Sequence, residues 1–132
     1  MKISTLNQSF IVPALFAQFL SSFLADKSDG FTTINFSDSS YGPEAGGFRP
    51  VEIGIEKNGE DACIQYLTEY RYFGDGMLDK STDFDFDLNT FRIEYIVETL
   101  DYADHGDYFN LYVANLRRYV KSGMLDEMEL SQ

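Results

Sequence analysis

The sequence predicts a single α+β domain over residues 1–132, an antiparallel β-sheet of four to six strands with an N-terminal and a C-terminal helix packed on one face. Three observations carry this. Asp83, Asp85 and Asp87 alternate with Phe84, Phe86 and Leu88, so at the strand period of two one face is carboxylate and the other large and apolar. Val51, Ile53 and Ile55 alternate with Glu52, Gly54 and Glu56 in the same way, just before an Asn58-Gly59 turn signal. Phe109, Tyr112, Val113, Leu116, Tyr119 and Val120 recur at helical spacing instead. Helices on the apolar side of such a sheet would leave the Asp83 side exposed to solvent.

The first apolar stretch, Phe10 to Leu24, follows Lys2 and loosely resembles an export signal. Pro13, Gln18, Ser21 and Ser22 interrupt it, a cut after Ala25 would put Phe23 where a small residue is needed, and fifteen residues are too few to span a bilayer. A core helix fits better, with Leu15, Phe16, Phe19, Leu20, Phe23 and Leu24 on one broad face. Ser9 is the expected cap, Pro13 falls in the first turn, and Asp29-Gly30 closes the segment. Phe31 to Phe36 reads as a strand, followed by polar residues to Ser40 and a loop from Tyr41 to Pro50.

Val51 begins the next strand, and Asn58-Gly59 suits the centre of a type I′ turn. The returning strand runs from about Asp61 to Phe73, supported by Ile64, Tyr66, Tyr70 and Tyr72. A loop from Gly74 to about Thr82 precedes the Asp/Phe strand, and Leu88-Asn89-Thr90 allows a turn. Phe91 to Val97 reads as one strand in which Ile96 breaks the alternation. The C-terminal helix is expected from Asp107 to Ser122, with Asn110, Ala114, Arg117, Arg118 and Lys121 outward and Gly123 as its stop. Acids at its start and bases at its end match the helix dipole. Met124 to Leu130 can add a short final strand.

Charge and composition bound the function. The 132 residues carry net charge -12, and residues 75–107 hold ten acids against Lys80 and Arg92 alone. Such a field opposes direct binding to nucleic acid or anionic membrane and favours a basic or neutral protein partner. Nine Tyr and twelve Phe exclude a disordered acidic chain. Cys63 is the only cysteine, so no internal disulfide or cysteine metal pair exists; a buried, reduced thiol in the cytoplasm is expected.

Asp83, Asp85, Asp87, Asn89 and Glu94 fall at positions 1, 3, 5, 7 and 12 of a calcium loop. Leu88 stands where the loop needs glycine, and an extended chain holds alternate carboxylates about 6.6 Å apart, too far to share one ion. Neither metal nor cofactor is expected. The same face could mimic the phosphates of a nucleic acid and inhibit a protein that binds it. His105 is the only histidine and reads as a surface residue near a helix start, without a nucleophile beside it; a small hydrolase built on some carboxylate pair is a third alternative. The loop Tyr41-Gly42-Pro43-Glu44-Ala45-Gly46-Gly47-Phe48-Arg49-Pro50 lacks nucleotide-binding spacing, yet its glycines and prolines imply a defined path. Tyr41, Glu44, Gly46, Gly47, Phe48 and Arg49 are the preferred binding residues, and Asp83, Asp85 and Asp87 the alternative.

This loop, continued through Val51-Glu52, with Asp83-Phe84-Asp85-Phe86 and Arg118-Tyr119-Val120-Lys121-Ser122-Gly123-Met124, resembles domain of unknown function 2787, a family of short gammaproteobacterial proteins. Similarity runs from about Phe31 onward, with Phe91 to Asp104 the most divergent segment. The resemblance implies a bacterial, cytoplasmic protein, often carried on mobile elements, with no activity or cofactor to transfer. Small acidic inhibitors are common on such elements, an analogy that adds some weight to mimicry. The preferred function is that of a non-enzymatic protein-interaction module.

Overall fold

The computed structural model describes residues 1–132. Its elements are β1 (Lys2–Thr5), α1 (Ala14–Leu24), β2 (Gly30–Ser37), β3 (Val51–Asn58), β4 (Asp61–Tyr72), β5 (Leu78–Asp85), β6 (Thr90–Ile93), β7 (Ile96–Thr99), α2 (Tyr102–Lys121) and β8 (Glu127–Ser131). One eight-stranded sheet runs β7-β6-β5-β4-β3-β2-β8, and β1 pairs with β4 outside this path. Eight strands exceed the expected four to six because β1 is a short, mostly polar segment and the expected strand from Phe91 to Val97 is a hairpin. Glu94 takes a positive φ of 55°, so β6 ends there and Ile96 restarts the alternation on β7. All pairs are antiparallel except β1 with β4, and β1 lies beside Asp61–Ile64, the half of β4 that β5 leaves open.

A row of cross-strand partners, Ile34, Ile53, Leu67, Phe84 and Phe91, crosses five strands, and every member is buried. Both helices cover this face. Phe19 of α1 stacks on Phe36 at 5.7 Å, and Phe109 of α2 meets Phe84 edge-on at 5.1 Å. Burying each such side chain contributes about 1.5–3 kcal/mol. Phe10 precedes the helix and enters a cluster with Phe86, Tyr102 and Phe109 at centroid distances of 5.0 to 5.2 Å. The first apolar stretch is therefore core, as its spacing suggests. It begins later, however: Pro13, at ψ 139°, is the cap, Ser9 bonds to Asn7 instead, and Leu15 is exposed.

Other boundaries differ for local reasons. Asn58 pairs with Asp61, so Gly59 and Glu60 form the turn, with Gly59 at φ 65°; a positive φ at the first position only is the type II′ pattern. The expected loop from Gly74 to Thr82 closes within a few residues, and β5 begins at Leu78. β5 also ends at Asp85, leaving Asp87 and Leu88 in the turn and Leu88 exposed. Helix α2 starts at Tyr102, with Asp101 accepting the Ala103 N–H at 3.1 Å. Gly106 weighs against an early start, since glycine costs about 1 kcal/mol in a helix, but a Cβ there would lie 2.8 Å from the Tyr102 ring. At the other end Gly123, at φ 82°, donates to the Val120 carbonyl and Met124 donates to that of Tyr119, which is a Schellman ending. No helix is long and apolar enough to cross a membrane.

Of two irregularities in the sheet, the one between β3 and β4 decides which side chains of β4 reach which face. Ile55 pairs with Ile64 and Gly54 with Tyr66, so Gln65 is an extra residue, a β-bulge that shifts the alternation by one. Ile64 and Leu67 consequently share the helix face. Tyr66 and Tyr70, which an unbroken strand would align with Ile64, move to the open face, and Glu69 moves in under the helices. Cys63, opposite Glu56 on the open face, is only half-buried rather than buried.

Candidate functional site

Glu69 is the acid that this bulge places on the helix face, and it is almost fully partnered. Arg49 Nη1 lies 3.2 Å from Glu69 Oε2 and donates also to Ser81 Oγ at 3.1 Å. The Tyr112 hydroxyl donates to Glu69 Oε1 at 2.9 Å, and Thr82 Oγ1 approaches Oε2 at 3.5 Å. Burial pushes the Tyr112 phenol well above its ordinary value, and the charge and hydrogen bond of Glu69 add to that. It therefore stays a neutral donor throughout the physiological range.

Arg49 arrives from the loop before β3. Asp38, just after β2, accepts the N–H groups of Ser40 and Phe48, each at 2.9 Å, and the Ser40 hydroxyl at 2.6 Å. These bonds, that of the Ser40 side chain first, lower the Asp38 carboxyl below the ordinary carboxylate range. Gly47 has φ 105°, and a Cβ there would sit 2.8 Å from the Asp38 carboxylate, so the close turn requires glycine. Gly42 and Gly46 exchange backbone hydrogen bonds at 3.2 Å. Tyr41 stacks on Tyr72 and its hydroxyl accepts the Tyr72 N–H at 3.1 Å.

The loop is thus a braced arm whose tip, Glu44 to Gly47, is exposed. Its base delivers Phe48 and Arg49 to α2. Phe48 packs on Tyr119 at 4.8 Å. Between the arm and the helix lies a cleft of about 230 Å³, walled by Phe48, Tyr108, Leu111, Tyr112 and Tyr119, with Arg49, Glu69 and Asn115 as its polar residues. Leu111 is 59% exposed at its rim. Of the expected binding residues the cleft gathers only Phe48 and Arg49; Tyr41, Gly46 and Gly47 support them, and Glu44 stands apart. The sequence reading missed Glu69, because the bulge reverses its face, and Leu111, which no periodic face claims.

On the open side of the sheet the expected row of exposed carboxylates is not formed. Asp83 is buried, with 6% of its surface exposed, and accepts from Thr68 Oγ1 at 2.7 Å, with Lys80 Nζ at 3.8 Å. Burial raises its carboxyl above the ordinary value, against the hydrogen bond from Thr68 and the Lys80 charge. Asp85 accepts the N–H groups of Asp87 and Leu88 in the turn, which leaves Asp87 exposed beyond the strand. The cause is local crowding. Tyr66 and Tyr70, turned outward by the bulge, border the same depression as Asp83 and Lys80, and Tyr66 bonds to Glu52 at 2.5 Å.

His105 is not a surface residue. It is 7% exposed and stacks on Phe91 at 4.3 Å. Its Nδ1 accepts the Asp101 N–H at 3.1 Å, so the ring proton sits on Nε2, which meets Glu98 at 3.0 Å. The ring ties the start of α2 to β7 and takes no part in the cleft.

The chain belongs to the family described as "Protein of unknown function (DUF2787)", whose model matches residues 13–131; the match reaches back through α1, further than the resemblance from Phe31. The fold is similar to that of the hypothetical protein VC0508 from the VSP-II pathogenicity island of Vibrio cholerae, at 26% identity and TM-score 0.85, covering 98% of this chain and 99% of that one. It is also similar to the conserved hypothetical protein VC1805 from pathogenicity island VPI-2 of Vibrio cholerae, which is described as sharing structural homology with the human P32 protein. There the identity is 32% and the TM-score 0.71, with 89% of each chain covered. No protein of curated function matches the chain.

Proposed function

We propose that this chain is a non-enzymatic protein-interaction module of the cytoplasm, and that the cleft between the Phe48-Arg49 arm and α2 is where its partner docks. The observation that supports this most is the pairing of an apolar wall left open to solvent, Leu111 and Tyr119, with a partly buried polar network that fixes Arg49. A volume of about 230 Å³ is below the usual range of small-molecule pockets and matches one large side chain of a partner. The brace by Asp38 keeps the arm in place before binding, which lowers the ordering cost of association.

The acidic-mimic reading loses support from the burial of Asp83, and the hydrolase reading from the structural engagement of His105. A photo-crosslinking residue introduced at Leu111 and, separately, at Asp87 tests the proposal in the native host. Crosslinks to one defined protein from position 111, with none from position 87, are the expected result. The reverse pattern would transfer the contact to the acidic turn and end this reading.

A further inference from the structure

The cleft continues into two shallow depressions along the end of α2. It shares Phe48 and Tyr119 with the first, which Arg118, Lys121 and Met124 complete; Lys121 is shared in turn with the second, beside Arg117 and Leu15 of α1. This strip inverts the electrostatics of the molecule. Of ten basic residues against 22 acids, four border it. Arg49 is paired with Glu69, whereas Arg117, Arg118 and Lys121 hold no carboxylate, unlike Lys57, Arg71 and Lys80, which each do. The carboxylates that brace the arm are already engaged, Asp38 by Ser40 and Phe48 and Asp126 by Ser39. The C-terminal end of the helix dipole accounts for basic residues there, but not for their lying along a continuation of an apolar cleft.

We infer that the strip receives a short acidic segment of a partner protein, with one aromatic or branched aliphatic side chain in the cleft and the carboxylates that follow it along Arg118, Lys121 and Arg117. This rests on the cleft being the docking site, and it departs from the basic or neutral partner that net charge alone favours. The range of the field resolves the difference. At physiological ionic strength charges are screened beyond about 8 Å, so a short segment on the strip meets the local cations. A long polyanion also meets the acidic remainder of the surface. Charge complementarity therefore selects a peptide over a nucleic acid, and the apolar cleft adds an anchor that phosphate lacks.

The test is fluorescence anisotropy of the full chain with labelled synthetic peptides that carry one Phe followed by a run of Glu, Gln or Lys, and with a single-stranded oligonucleotide of the same charge as the Glu peptide. The Glu peptide should bind about tenfold or more tightly than the Gln peptide at physiological ionic strength, with the margin shrinking as salt is raised further. Arg118→Glu with Lys121→Glu should remove that preference, as should the milder Arg118→Gln with Lys121→Gln, with thermal unfolding preserved. Equal or tighter binding of the Gln or Lys peptide, tighter binding of the oligonucleotide, or no binding at all would overturn the inference. If the Gln peptide binds equally well and Leu111→Glu abolishes its binding, the cleft survives as a docking site and only the acidic partner falls.

Discussion

Glu69 and Asp83 lie on neighbouring strands, β4 and β5, and on opposite faces of the sheet, and both are largely withdrawn from water, with side-chain exposures of 17% and 8%. Glu69 has a guanidinium at 3.2 Å on one oxygen and a phenol at 2.9 Å on the other. Asp83 has one threonine hydroxyl and an ammonium at 3.8 Å, and burial holds its carboxyl above the ordinary value. A buried carboxylate is tolerated in proportion to what replaces its water. The helix face builds a braced charge into a cleft. The open face covers a charge that its sequence pattern would leave in solvent, and so has less of an acidic surface to offer a partner.

The largest test of this contrast is a one-residue insertion beside the bulge that creates it. One alanine added after Gln65 is a second extra residue, so Tyr66 would turn to the helix face and Leu67 and Glu69 outward. A loss of more than about 4 kcal/mol, or of cooperative unfolding altogether, is expected in urea titrations followed by circular dichroism. An insertion mutant within about 1 kcal/mol of the parent would show that the register does not divide the two regions.

Single hydrogen bonds sharpen it next. Thr68→Val removes the hydroxyl that Asp83 accepts from and should cost about 2 kcal/mol, whereas Tyr112→Phe leaves Glu69 with Arg49 and should cost about 1 kcal/mol. Denaturant midpoints in the opposite order would mean that Glu69, not Asp83, is the less compensated charge.

The smallest effect concerns titration. Because the folded-state value of Asp83 is raised above the ordinary 3.8, the native state binds its proton more tightly than the unfolded chain does. Its contribution to stability is therefore greatest below pH 3.8 and declines as pH rises through the raised value. Asp83→Asn lacks this decline and should gain on the parent over that window, by less than about 1 kcal/mol, then hold the gain to neutral pH. Parallel stability curves for the two proteins between pH 3 and 7 would contradict the assigned burial effect.

Much of the scaffold was legible because its signals are local. The alternation in β3 and the first half of the Asp/Phe run, the helical spacing of Phe109 to Leu116 and the glycine stop at Gly123 each depend on neighbours a few residues away. Phe48 and Arg49 could be singled out for the same reason, since glycines and prolines around them demand a shaped loop. Their target could not. Glu69 enters the cleft only through an extra residue at Gln65, and that bulge is defined by pairing with β3, ten or more residues distant. His105 shows the same limit: flanking aspartates and glycine suggest exposure, but stacking on Phe91 and the bond to Glu98 bury it.

By itself the sequence determined the fold class, two apolar helix faces, and the burial of Phe84 and Phe86, because side-chain period and backbone preference act over one or two turns of chain. Tertiary structure alone decided which face each half of β4 presents, that Asp83 is buried while Asp87 stays in water, and that an arm and a helix separated by some sixty residues meet in one cleft. Those outcomes depend on strand register and on packing between distant segments, where one inserted residue exchanges the faces and no short stretch of sequence records the choice.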